Sequence, residues 1–193
     1  MAYLMDRINQ QLAKTGYQAR SRQARNWLRS KIPDLNPTAR KLMTRADERM
    51  TLTSIVGHMY FFYYDPKTKD KLPYYDKFPL VMPIQLYGDG FLGINLHYIH
   101  PKHRIILLDK LSSFASNRAY DQSTKLRLNY QALSAFSQAY EATPCLKRYL
   151  SSHVQSRFLE IPANEWDIAA LLPVEQFEKA STSKVWADSR KKF

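Results

Sequence analysis

The 193-residue chain carries 29 Lys and Arg against 17 Asp and Glu, a formal charge of +12, with 45% hydrophobic and 24% charged residues. That usage is globular, so wholesale disorder is excluded, and the length suits one domain with a sizeable core. A single cysteine, Cys145, excludes an intrachain disulfide framework, and no apolar run reaches the roughly 18 residues of a transmembrane helix.

Charges interrupt the apolar pattern of Met1 to Lys14, which argues against a secretory signal. Leu4, Ile8 and Leu12 recur every four residues and predict a short helix over Tyr3 to Lys14, with Gly16 as its stop. A second helix is expected from about Ala19 to Lys31, bearing Arg20, Arg22, Arg25, Arg29 and Lys31. Pro33 ends it, because the residue before a proline is pushed out of the helical region. Asn36-Pro37 reads as a cap and first-turn proline before a short helix over Thr38 to Met43. The region lacks a dense core pattern, and residues 1–50 read as a basic helical arm that orders on a partner.

From Thr51 the chain turns β-branched and aromatic, ending Tyr60-Phe61-Phe62-Tyr63-Tyr64, which favours a strand. Asp65 to Asp70 is a charged turn, and the stretch after it is extended but broken by Pro73 and Pro79. Leu80 to Tyr87, with Pro83 marking a bulge or an edge, and Phe91 to Ile99 are strands joined by Gly88-Asp89-Gly90. Together these form a compact antiparallel sheet of about three strands. Pro101 to Ala115 is expected to be helical, and so is Asp121 to Tyr140, where Leu126, Tyr130, Leu133, Phe136 and Tyr140 follow helical spacing. A third short helix is expected from Pro144 to about His153. Phe158 to Ile161 reads as a short strand, Pro162 to Leu172 as a helix stopped by Pro173, and Lys184 to Phe193 as a polar tail anchored by Trp186.

The charge is unevenly spread. Residues 1–50 hold 11 basic and 4 acidic groups, net +7, and residues 101–150 hold 8 and 3, net +5. Phe158 to Glu178 contains five acids and no Lys or Arg, and the chain then ends on a basic tail. Such a distribution points to a polyanion or an acidic protein surface as partner.

Catalytic patterns are weak by comparison. His97, His100 and His103 have poor metal spacing, since an odd offset puts the first two on opposite sides of a strand and Pro101 blocks one continuous helix. Asp65, Asp70, Asp76 and Asp89 sit in turn sequences, where backbone-capping roles explain them more simply than a nuclease site does. Cys145 reads as a small core residue rather than a nucleophile. Gly88, Gly90 and Gly93 do not form a phosphate loop. The aromatic run Tyr60 to Tyr64 and the pair Tyr74-Tyr75 could stack on bases, but rings pointing both ways fit a sheet covered on both faces better.

Several segments carry a resemblance: Tyr63-Tyr64-Asp65-Pro66-Lys67, Leu72-Pro73-Tyr74-Tyr75-Asp76-Lys77-Phe78-Pro79-Leu80, and Asp89-Gly90-Phe91-Leu92-Gly93-Ile94-Asn95-Leu96-His97-Tyr98. Lys147-Arg148-Tyr149-Leu150, Glu165-Trp166-Asp167, Leu172-Pro173 and Lys184 to Arg190 add to it. Over about Thr51 to Phe193 the chain resembles a family of small virion proteins of T-even-type contractile-tailed phages, of the DNA end protector type. The resemblance implies a structural protein of the virion, assembled in the host cytoplasm, at the head-neck junction near the packaged DNA terminus. It implies no catalytic residues.

The combined expectation is an α+β fold: a small antiparallel sheet packed against C-terminal helices, with an N-terminal helical arm. Residues 1–50 form the arm, and 51–193 the core domain with its basic C-terminal tail. No cofactor, metal or membrane is expected. The partners are other virion proteins, of the neck or tail, and double-stranded DNA, with Arg20, Arg22, Arg25, Arg29, Lys31, Arg40, Lys41 and Arg45 as the phosphate contacts. The alternatives are a tail or baseplate connector that docks through the arm and the acidic stretch without touching DNA, and a metal-dependent nuclease built on the turn aspartates.

Overall fold

The computed structural model describes residues 3–44, 46–115, 121, 131–132 and 144–190. The helix expected over Asp121 to Tyr140 lies outside them apart from isolated positions, as does the extreme C-terminal Lys191 to Phe193.

Three short helices open the chain: α1 (Leu4–Ala13), α2 (Arg22–Lys31) and α3 (Ala39–Met43). Local chemistry sets their limits. The chain leaves α1 through Gly16 at φ +72°, a left-handed value that suits glycine. The Ser21 hydroxyl accepts from Ala24 N to cap α2, and Thr38 accepts from Lys41 N to cap α3. Leu4, Met5, Ile8, Leu28, Ile32 and Leu42 are buried in the same apolar cluster as the sheet residues Met59, Phe61, Leu80 and Ile94. The segment has no core of its own because its apolar side chains join the common one.

Six strands form one antiparallel sheet in the order β1 (Met50–Thr51), β7 (Phe158–Ile161), β2 (Met59–Phe61), β4 (Leu80–Tyr87), β5 (Gly90–Asn95), β6 (Leu146–Leu150). A separate two-stranded ribbon pairs β3 (Tyr75–Asp76) with β8 (Phe177–Glu178). The sheet therefore holds six strands where the sequence suggests three. β5 stops at Asn95 rather than Ile99, because the Asn95 side chain accepts from His97 N and turns Leu96–Tyr98 into a 3₁₀ helix. Pro83 sits at the register shift in β4, where a missing N–H is tolerated. The largest correction is residues 146–150, expected to be helical and found as β6. The outer edge of β5 offers unpaired backbone groups, and Lys147-Arg148-Tyr149 satisfies them in register with Gly93, Leu92 and Phe91.

Helices α4 (Pro101–Ala115), α5 (Trp166–Leu171) and α6 (Thr182–Arg190) complete the described fold. One sheet face carries the main cluster against the helices. The other carries Tyr60, Phe62, Tyr64, Val81, Phe91, Tyr149 and Phe158. β2 and β6 are three strand positions apart, roughly 14 Å in a flat sheet. The rings of Phe62 and Tyr149 nonetheless lie 5.3 Å apart, and the Tyr64 hydroxyl accepts from Leu150 N. The sheet is curled, and aromatic edge-to-face contacts fill the curl. The rings of Tyr60 to Tyr64 thus serve both faces of a covered sheet.

Candidate functional site

The five acids between Phe158 and Glu178 all pair with partners in this chain. Glu165 accepts from Arg49 Nη1 at 2.6 Å and from Asn9 Nδ2 at 2.9 Å. Asp167 accepts from Arg25 Nε at 2.7 Å, and Glu175 accepts from Arg104 Nη2 at 2.5 Å. Glu160 bonds to His58 and Glu178 to Lys77. A stretch that reads as an acidic docking surface is instead paired within the chain, with the side chains of Glu165, Asp167 and Glu175 buried against arginines.

The predicted cationic residues divide by geometry. Arg25 is a clamp: it reaches Asp167 on α5 and Asp109 on α4 together. Arg20 donates to Ala163 O at 3.0 Å and is partly buried. Arg22, Arg29, Lys31, Arg40 and Lys41 are exposed. Lys31 lies 3.5 Å from Asp34, and Lys41 donates to the carbonyls of Leu35 and Asn36. Arg45 lies outside the described residues. The outcome is an exposed basic surface along α2 and α3, with Arg20 and Arg25 turned to the body.

A cleft of about 320 Å³ opens between β6, the Asp65–Leu72 loop and the β3 ribbon. Tyr64, Tyr74, Tyr75 and Tyr98 line it together with Lys67 and Lys147. Most of these residues belong to the segments that carry the resemblance, which converge here although they are far apart in the chain. Lys147 Nζ sits 4.5 Å from the centre of the Tyr98 ring, and burial pushes its ammonium group below the usual lysine value. No carboxylate among the described residues pairs with it. The loop at the rim is pinned by Lys179, whose ammonium donates to the carbonyls of Lys69, Asp70 and Leu72 at 2.6, 3.1 and 3.2 Å.

The floor of the cleft is a buried polar web centred on Asp76. Asp76 is buried, and its Oδ1 accepts from Phe78 N and Gln176 N. Its Oδ2 accepts from Asn95 Nδ2 at 3.2 Å and from His97 Nδ1 at 2.7 Å. Burial alone would raise the Asp76 carboxyl, but the His97 ring and these hydrogen bonds outweigh it and hold the group below its usual value.

The sequence marks Asp76 as a turn residue, and the bond from Phe78 N is that turn. Its pairing with His97, 21 residues away, leaves no local signal. Lys147 escapes sequence reasoning as a site residue because its segment reads as a helix. Asp65 pairs with Lys69 and Asp89 with Arg148, and no group of three or more metal-ligating side chains gathers among the described residues. Cys145 is buried in the main cluster. No described helix is long and apolar enough to cross a membrane.

A curled sheet wrapped by helices, with its acidic stretch paired internally and cations left at the surface, defines a basic α+β protein. The family of the phage T4 terminal DNA protecting protein matches residues 5–189, and the chain belongs to that family. This agrees with the resemblance to the DNA end protector type and extends it through the N-terminal helices. No curated protein and no solved structure matches the chain.

Proposed function

We propose that this protein is a non-enzymatic component of a contractile-tailed phage particle that binds the terminus of the packaged double-stranded DNA at the neck and shields it. The observation that carries this reading is the family match over residues 5–189. The physical chemistry supports it. A net +12 chain whose buried Glu165, Asp167 and Glu175 side chains are paired with arginines leaves Arg22, Arg29, Lys31, Arg40 and Lys41 exposed to meet phosphate. Arg20 and Arg25 hold the surface in place rather than touching DNA. A connector role based on the acidic stretch has less support, since those carboxylates already have partners.

The test is a competition binding assay with one sequence presented as linear duplex and as closed circle. Preference for the linear form at equal base-pair concentration supports end binding. Equal affinity for both, or no binding at low salt, removes it.

A further inference from the structure

We propose that the cleft beside β6 receives one unstacked terminal nucleotide of a DNA strand, its base against the tyrosine wall and its phosphate at Lys147 and Lys67. The inference rests on the DNA-end reading above and names the part of the molecule that reads the end. Four observations carry it.

The volume of about 320 Å³ lies at the low end of small-ligand clefts. It accommodates a single nucleotide and is far too small for a paired duplex. The lining also matches one nucleotide. Half-buried Tyr74 and Tyr75 present aromatic surface, and base-on-aromatic stacking accepts any base because each has a π face. A protein that guards ends regardless of sequence needs that tolerance.

Lys147 supplies the third observation. A partly buried ammonium group is costly without an anion, and the Tyr98 ring is only a partial substitute. A phosphate oxygen completes the site, with exposed Lys67 at the rim as a second cation. The one carboxylate on the cleft wall, Asp76, already accepts four hydrogen bonds within the protein, so its charge is spent on the floor and not presented to a ligand. The fourth is rigidity. The web of Asn95, Asp76 and His97 fixes the floor, and Lys179 fixes the rim, so little ordering remains to be done on binding.

A free mononucleotide offers the same chemistry as a strand terminus, and the experiment separates them. The probe is a blunt 30-base-pair duplex with 5′-phosphates and 2-aminopurine at the terminal position. Controls carry the fluorophore internally, or have both ends closed by hairpins. Wild-type protein is expected to change the terminal fluorescence and not the internal one, and to bind the open duplex more tightly than the closed one. Lys147→Met and Tyr75→Ala are expected to reduce that preference by about tenfold, one ordinary contact's worth, with affinity for the closed duplex unchanged. Arg22→Ala is expected to weaken both duplexes alike.

If both cleft variants melt like wild type and keep the open-end preference, the cleft is not the end site, while the DNA reading stands. A terminal fluorophore that does not respond in the wild-type complex rules the cleft out equally, without any variant. Displacement of the open duplex by millimolar deoxyadenosine monophosphate would reassign the cleft to free nucleotides. Equal wild-type affinity for open and closed duplexes overturns the DNA-end reading itself, and this inference with it.

Discussion

Asp76 shows how one side chain can be half legible. Its own residue type and the adjacent Lys77 mark a turn, and the Asp76 carboxylate does accept from Phe78 N two residues on. Burial against His97 depends on β5 ending at Asn95, a tertiary event with no local signature. Asp76→Asn is expected to cost about 3–5 kcal/mol in urea unfolding, the usual penalty for breaking a buried pair. The pH dependence has a definite sign. The folded-state value of Asp76 is depressed, so its stabilisation is complete above the ordinary carboxylate range and is lost as pH falls through the depressed value. Wild type should therefore lose stability on acidification more steeply than Asp76→Asn, and parallel profiles would contradict this. Gly90 is legible as a turn glycine but serves a second purpose. Its φ is +154°, and a Cβ there would stand 1.9 Å from Tyr149 O. Gly90→Ala should force β5 and β6 apart and cost about 1–3 kcal/mol, read as a lowered Tm.

At the level of elements, long helices and strands with turn glycines are readable, but the caps are not: Thr38 rather than Asn36 caps α3, and α2 starts after Ser21 rather than at Ala19. α4 occupies the range its periodicity predicts, and β4 likewise. β6 is not readable, because Leu146 to Leu150 carries no decisive periodicity and its conformation is set by the free edge of β5. The way the helices are fixed is also hidden. Arg104 is fully buried, and it donates to Ile99 O, Ala170 O, His97 O and Glu175. One guanidinium thus joins α4 to the end of the sheet, to α5 and to the segment before β8, with Trp186 of α6 5.7 Å from it. Glu175→Gln is expected to cost about 3–5 kcal/mol, and Arg104→Met at least as much, because it leaves the buried Glu175 carboxylate and the carbonyls of Ile99, Ala170 and His97 without their donor. Thermal or urea unfolding of the two variants decides this, and a clearly smaller loss for Arg104→Met would contradict it. Arg25 performs the same service for α2, so Arg25→Ala should lower stability more than it lowers DNA affinity.

Across the whole molecule, the charge asymmetry is the most legible feature and the most easily misread. The +7 of residues 1–50 suggests an arm that orders on a partner, yet their apolar side chains enter the common core and Arg25 and Arg49 bind acids of the C-terminal half. The remaining exposed cations form a surface carried by the folded body. If the five on α2 and α3 neutralise phosphates, the log–log salt dependence of duplex binding has a slope of about −4.5. A slope close to zero would show that phosphate contacts do not drive the interaction.

Protection of DNA termini is most directly measured by digestion of a linear duplex with a processive double-strand exonuclease, with and without saturating protein. Wild-type protein should extend the lifetime of the full-length duplex many-fold at low salt, and raised salt should abolish the effect. Unchanged digestion under conditions where the protein is bound to the DNA would contradict the account.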